Sequence, residues 1–145
     1  MHFLLPKIAS FCAYQDRSKV EIVEKIEELE IPDEEWEEIF AFLKKEKYWD
    51  EERFVRSFVG GKFRVKKWGK RKIAYEIYKH KISSALFDAA WEAEVPDIQY
   101  ETTIKTLIEK KTGELLRDTE MNRKAKIARY LQQKGYTFDE FGDFL

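Results

Sequence analysis

Residues 70–82 read KRKIAYEIYKHKI, and their apolar members fall at Ile73, Ala74, Ile77 and Ile82. Positions i, i+1 and i+4 share one face of a helix, and the fourth apolar residue falls just past its end, where it can pack beneath a turn. The same skeleton stands 51 residues earlier as Ile22, Val23, Ile26 and Ile31, and 54 residues later as Ile127, Ala128, Leu131 and Tyr136. Three copies of one amphipathic helix at near-constant spacing indicate a repeat.

The next segments repeat too. Trp36, Ile39 and Phe40 correspond to Phe87, Ala90 and Trp91, then to Phe141, Phe144 and Leu145. Each set has i, i+3, i+4 spacing, a second amphipathic helix. Asp33, Ser83 (with Ser84 as competitor) and Thr137 are the expected caps of these helices. A third helix is expected from Asp50 as N-cap, with Phe54, Phe58 and Val59 as its buried stripe and Gly60-Gly61 as its stop. Its counterpart starts at Asp97 and buries Ile104, Leu107 and Ile108. The third copy reaches only its second helix, so that unit is expected to be truncated. The fold class is therefore all-α: tandem three-helix repeats, elongated or curved, with about eight helices and a possible short ninth within residues 6–14. Residues 1–62 form the N-terminal segment and first repeat, 63–112 the second and 113–145 the third, with joints at 63–69 and 112–118. A lone unit of about 50 residues buries little surface, and stacked units share a core.

Composition agrees with a folded helical chain. Of 145 residues, 43% are apolar and only three are proline and six glycine, which excludes general disorder and favours helix. Cys12 is the one cysteine, so no intrachain disulfide forms, and a reducing, cytoplasmic compartment is favoured. Residues 1–13 lack the cationic start and long apolar run of a signal peptide, and no stretch nears the 18 apolar residues of a membrane span. The net charge of −1 hides a strong segregation. Residues 1–52 carry 15 acidic and 7 basic side chains, residues 53–81 carry 1 and 11, and residues 82–145 carry 12 and 9. A concentrated positive block on a near-neutral chain can attract a polyanion or dock an acidic protein surface.

The stretch Trp49-Asp50-Glu51-Glu52-Arg53-Phe54-Val55-Arg56-Ser57-Phe58-Val59 resembles the acidic-Arg-Phe helix of the RecX family, bacterial regulators that bind the RecA recombinase. Cys12-Ala13-Tyr14 and Arg17-Ser18 resemble that family's opening elements, and Lys134-Gly135-Tyr136 its Lys-Gly-aromatic turn. The resemblance covers roughly residues 10–145. Departures are Glu30-Ile31 and Lys81-Ile82, where the family often places glycine before the apolar residue, and Trp49, where a smaller aliphatic is common. The resemblance implies a modular triple-repeat helical fold. It implies as partner the RecA filament, whose groove such proteins occupy, limiting strand exchange.

Little in the chain suggests catalysis. His2 and His80 are the only histidines, and there is no Cys-x-x-Cys, His-Glu-x-x-His or Gly-x-x-x-x-Gly-Lys pattern. No catalytic residue, cofactor or metal site is expected. His80 is expected at the negative end of a helix, and Cys12 as buried filler. The run Glu34, Glu35, Glu37, Glu38 reads as a solvated helix start. A small enzyme with a carboxylate site remains an alternative, which a deep pocket with convergent acids would favour.

The basic block is the expected binding surface: Lys62, Arg64, Lys66, Lys67, Lys70, Arg71 and Lys72, followed by Lys79. Between Lys62 and Lys67 the charges alternate with Phe63 and Val65, as an extended segment would place them. Such a block meets phosphates with strong salt dependence and little base selectivity, and Trp68 or Tyr75 can stack on a base. Arg53 and Arg56 are expected to face outward, toward a partner or toward Glu51 and Glu52. Arg123, Lys124, Lys126 and Arg129 form a second basic patch, of which Arg123 and Lys126 are the candidate contacts. The expected partners are the RecA filament and DNA, directly or through the filament, with no membrane and a monomeric state. The alternative is a free-standing helical DNA- or RNA-binding module acting through the same block.

Overall fold

The computed structural model describes residues 3–145; His2 lies outside them. Among the described residues the chain forms nine α-helices: α1 (Leu5–Tyr14), α2 (Lys19–Glu28), α3 (Trp36–Lys45), α4 (Glu51–Arg64), α5 (Lys70–Tyr78), α6 (Ser84–Glu94), α7 (Asp97–Glu114), α8 (Glu120–Lys134) and α9 (Phe138–Phe141). Short 3-10 turns cover Asp33–Glu35 and Gly142–Phe144, and no strand occurs among these residues.

The helix starts arise from side chains that satisfy the first free N–H groups. Ser18 and Glu21 form a reciprocal capping box at α2. Asp50 accepts from the Arg53 N–H at 3.1 Å, and Ser83 from the Leu86 N–H at 3.1 Å. At α9 the Glu140 carboxylate accepts the Thr137 N–H at 2.8 Å. Two expected caps are corrected. Asp33 lies within the 3-10 turn after Pro32, and α3 starts later at Trp36. Asp97 is the first residue of α7, and Pro96 takes the cap position, where its lack of an N–H costs nothing.

Gly60-Gly61 does not stop α4, which runs on to Arg64. The Arg64 guanidinium lies across Gly60, where a Cβ would collide with it, and Phe63 is buried one turn on. The expected extended segment from Lys62 to Lys67 is thus the last turn of a helix and the turn after it. A helix wins here because Val59 and Phe63, four apart, both enter the core.

Three buried clusters organise the chain. Leu5, Ile8, Cys12, Ile22, Ile26, Ile31, Ile39 and Leu43 join α1, α2 and α3. Phe54, Val55, Val59, Phe63, Ile73, Ile77, Ile82, Phe87, Ala90 and Val95 join α4, α5 and α6. Ile104, Leu107, Ile127, Leu131, Tyr136 and Phe141 join α7, α8 and α9. Ile22, Ile26 and Ile31, Ile73, Ile77 and Ile82, and Ile127, Leu131 and Tyr136 are in the cores, while Val23, Ala74 and Ala128 are half-buried, and the grouping is shifted by one helix. The helix capped by Asp50 shares its core with α5 and α6, not with α2 and α3. Divisions at 62/63 and 112/113 would cut α4 and α7, and the third group, with α7 counted in it, has three helices.

The joints between units differ in kind. Tyr100 belongs to the rims of both the second and third clusters. Its ring lies 5.9 Å from Phe63, 5.2 Å from Trp91 and 5.3 Å from Tyr136. The first two units meet through polar contacts: His80 Nδ1 to Ser18 Oγ at 2.8 Å, Arg53 to Asp16 at 2.6 Å, and the Ser57 hydroxyl donating to Asp16 at 2.8 Å. The accessible surface is 9400 Å² for 17.4 kDa. That is about a fifth above the roughly 7,900 Å² of a compact globule of this mass, as expected for units joined in series.

Candidate polyanion-binding surface

The second and third units meet end to end. The C-terminus of α8 points its free carbonyls at the N-terminus of α5, whose first N–H groups need acceptors. The Gly69 N–H donates to Lys134 O at 2.7 Å, and the Arg71 N–H to Gly135 O at 3.2 Å. The positive and negative ends of two helix dipoles thereby face one another. This approach needs glycine at both positions, since a Cβ on Gly69 would meet the Gly135 carbonyl and one on Gly135 would meet Lys72. Gly135 also sits at φ 103°. Two further bonds pin the basic turn to α8: Tyr136 donates to Lys67 O at 2.7 Å and Lys134 Nζ to Lys66 O at 3.1 Å.

The side chains of the block therefore leave a fixed backbone. Lys66, Lys67, Lys70 and Arg71 are exposed. No carboxylate among the described residues forms an ion pair with Lys62, Lys66, Lys67, Lys70, Arg71 or Lys72. The acidic first unit does not neutralise them. The Lys62 and Lys72 ammoniums lie 4.9 Å and 4.5 Å from the Trp68 ring centre, and Lys70 lies 5.4 Å from that of Trp91. Arg71 reaches Gln132 O at 3.3 Å. Lys79 pairs with Glu76 at 3.2 Å, 4.8 Å from the Tyr75 ring centre.

Other expected contacts are held internally. Arg53 pairs with Asp16, not with Glu51 or Glu52. Arg56 and Arg64 share the Glu94 carboxylate at 2.9 Å and 3.2 Å. Burial would raise the Glu94 pKa, but hydrogen bonds from the two arginines outweigh it and hold the carboxyl below its ordinary value. These side chains, with Asp50, Glu52 and Ser57, line a cleft of about 420 Å³ whose charges largely cancel. In the second patch, Arg123 donates to Asp118 O at 3.2 Å and Lys126 pairs with Asp118 at 2.8 Å. The patch is thus partly satisfied, and neither residue joins the block at the α5–α8 joint.

Sequence reasoning missed Lys134 as a member of that block. Burial first, and then the nearby Lys72 and Lys110 cations, hold its pKa below the ordinary lysine value. Cations from α5, α7 and α8 thus crowd around one joint, an arrangement that an anion relieves. The signal in the sequence was the Lys134-Gly135-Tyr136 turn, but nothing in spacing brings it beside residues 66–72.

His80 is not simply at a helix end. It lies between Ser18, Glu21 at 4.0 Å, and the rings of Phe54 and Phe58 at 5.0 Å and 5.7 Å. Cys12 is buried, which pushes its thiol up to about 11 and leaves it a poor nucleophile. No three His, Cys, Asp or Glu side chains among the described residues converge as a metal-holding group. Among the same residues, no helix is long and apolar enough to cross a membrane.

Comparison with known proteins places these units. Residues 50–90 match the family model described as the second three-helix domain of RecX, and residues 99–145 match that of the third. These spans begin at α4 and α7, where the buried clusters divide. The chain is 28% identical over 126 residues to the regulatory protein RecX of Oceanobacillus iheyensis, covering 87% of this chain and 46% of that protein. It is 27% identical over 150 residues to the regulatory protein RecX of Escherichia coli strain SE11, covering 97% and 88%. The chain thus spans about half the length of one relative and most of the other. Among solved structures, that of RecX from Lactobacillus salivarius superposes with a TM-score of 0.85 at 22% identity, covering 96% of this chain and 90% of that one. A second crystal structure of a regulatory protein RecX gives 0.79 at 23% identity, covering 95% and 71%.

Proposed function

The chain belongs to the RecX family, and from that premise we propose that it is a noncatalytic, cytoplasmic regulator of homologous recombination that binds RecA nucleoprotein filaments and limits strand exchange. The observation that carries the reading is the cationic surface at the α5–α8 joint. It lies within the family-matched units, is held by backbone hydrogen bonds across two of them, and has no carboxylate ion-pair partner among the described residues. A surface of this kind meets an elongated anionic assembly by displacing its counterions, with affinity that falls steeply with salt. Bound along such an assembly, the protein shifts its equilibria by differential binding to the states it contacts.

The test compares the native protein with one carrying Lys66→Glu, Lys67→Glu, Lys70→Glu and Arg71→Glu. Helical content is expected to persist, because all four side chains are exposed. Inhibition of RecA-driven strand exchange and binding to filaments are expected to fall together, with a shallower salt dependence. Unchanged strand exchange at saturating native protein overturns the reading. So does equal binding to DNA with and without RecA, which would favour a free-standing nucleic-acid-binding module.

A further inference from the structure

One row of α5 is not explained by the core. Arg71, Tyr75 and Lys79 succeed one another at i, i+4 and i+8, so they line one face of the helix. Tyr75 is 66% exposed, while Ile73 and Ile77 on the opposite side are fully buried. The other rings near the basic block are occupied. Trp68 is half-buried with two lysine ammoniums against it. Tyr78 packs edge-on against Phe87 at 5.7 Å. Among the described residues the cation over the Tyr75 ring is the Lys79 ammonium, 4.8 Å from its centre, and this cation is itself shared with Glu76.

An exposed aromatic ring flanked by cations one helical turn to either side can bind a charged strand and stack an unpaired base on the ring. Arg71 is oriented by its bond to Gln132 O, so one flanking cation is fixed. Lys72 and Lys110 lie near enough to Lys134 that, after burial, their charges help hold its pKa below the ordinary lysine value, so these three cations add positive charge beside the same helix. An acidic protein surface would satisfy the cations but gives no use for a bare ring between them.

We infer that the Arg71–Tyr75–Lys79 face of α5 binds single-stranded nucleic acid directly, with Tyr75 stacking on an unpaired base. The inference rests on the proposed role of the cationic surface and names the ligand that one face of it takes. It predicts a preference for bases that charge alone does not provide. Stacking on one aromatic side chain contributes about tenfold in affinity.

The experiment measures binding of the full chain to a fluorescent oligothymidine and to an abasic deoxyribose-phosphate chain of equal length. Both ligands carry the same charge, and both are measured at the same salt. The native protein is expected to bind the oligothymidine about tenfold more tightly. Tyr75→Phe should keep that ratio, and Tyr75→Ala should bring it near one while binding to the abasic chain is retained. Circular dichroism should be unchanged, since the ring is exposed. Equal affinity of the native protein for the two ligands overturns the inference, as does an undiminished ratio in Tyr75→Ala. Tighter binding to polyglutamate than to either oligonucleotide overturns it in favour of a protein partner. Strand-exchange inhibition, assayed on the same preparations, separates the two ideas. If it persists in a protein that does not discriminate bases, the stacking site fails and the regulatory role stands.

Discussion

Glu30 and Lys81 hold φ values of 57° and 58°, the left-handed conformation that Gly135 adopts at 103° in the equivalent turn. The turns need it because the next apolar residue must swing back under the helix. Ile31 N–H bonds to Ile26 O at 3.2 Å and Tyr136 N–H to Leu131 O at 3.0 Å, the closing bonds of a Schellman end. A side chain in that conformation costs roughly 1–2 kcal/mol, which glycine avoids at some loss of unfolded-state entropy. Glu30→Gly and Lys81→Gly are therefore expected each to stabilise the protein by about 0.5–1 kcal/mol in urea denaturation. Gly135→Ala should act oppositely, by about 2 kcal/mol or more, because the new Cβ meets Lys72 as well as adopting an unfavourable φ. Tyr100 makes a second residue-level case. Its hydroxyl accepts from the Lys70 N–H at 3.0 Å and donates to Glu140 at 3.1 Å, tying α5, α7 and α9. Burial, the larger cause, and the Glu140 charge both push this phenol well above its ordinary pKa, so it stays a neutral donor. Tyr100→Phe leaves the packing and removes the bonds, and should cost about 1–2 kcal/mol.

At the scale of the element, α4 shows what periodicity does and does not reveal. Of the expected stripe, Phe54 and Val59 are buried and Phe58 is half-buried, and Phe63, which the sequence placed in an extended segment, joins them on the buried face. Periodicity states which side of a helix is covered, and it is silent on which neighbour covers it. That is why helices and core faces were legible while the grouping into units was off by one helix. Gly60-Gly61 misled for a related reason: glycine permits a helix to end, but the packing of Phe63 beyond it decides that it does not. The candidate surface was legible as a charge run from Lys62 to Lys72. The partners Lys134 and Gly135, more than 60 residues away, required the fold. The clamp of α4 on α6 gives a test with a pH dependence. Glu94 titrates below its ordinary value because Arg56 and Arg64 bind its ionised form. A depressed folded-state pKa contributes stability above the unfolded value of 4.5, and that stability is lost as pH falls through the folded value. Glu94→Gln should thus cost about 1 kcal/mol at pH 7, where half-exposed arginines limit the gain. The difference from the native protein should close as pH drops below the ordinary glutamate range in thermal melts. A difference independent of pH would mean that packing, not charge, gives Glu94 its role.

For the whole molecule, the contrast between the two joints governs how a charged partner would be met. The second and third units share Tyr100 and are tied by main-chain bonds, Gly69 to Lys134 and Arg71 to Gly135. The first unit has a core of its own and reaches the second through side chains: Ser18 and His80, Asp16 with Arg53 and Ser57, and the Lys19 N–H donating to Glu51 at 3.0 Å. Repeat arrays divide their stability between units and interfaces, and they open first where an interface is weakest. Amides of α4 through α9 should therefore exchange with deuterium as one cooperative block. Those of α1 to α3 should open separately at lower free energy. His80→Ala removes one of the two partners of a fully buried Ser18 Oγ, leaving the Glu21 N–H, and one side of the contact with Phe54 and Phe58. It should speed exchange in α2 by about tenfold, the effect of roughly 1.4 kcal/mol, while the Gly69 and Arg71 amides stay protected. Exchange of all helices in a single transition, or loss of protection at Gly69 in that variant, would show that the chain behaves as one body. The expected outcome instead keeps the cationic face of α5 and α8 as one rigid piece while the acidic first unit moves against it, so the spacing of charges presented to a partner does not depend on the first joint.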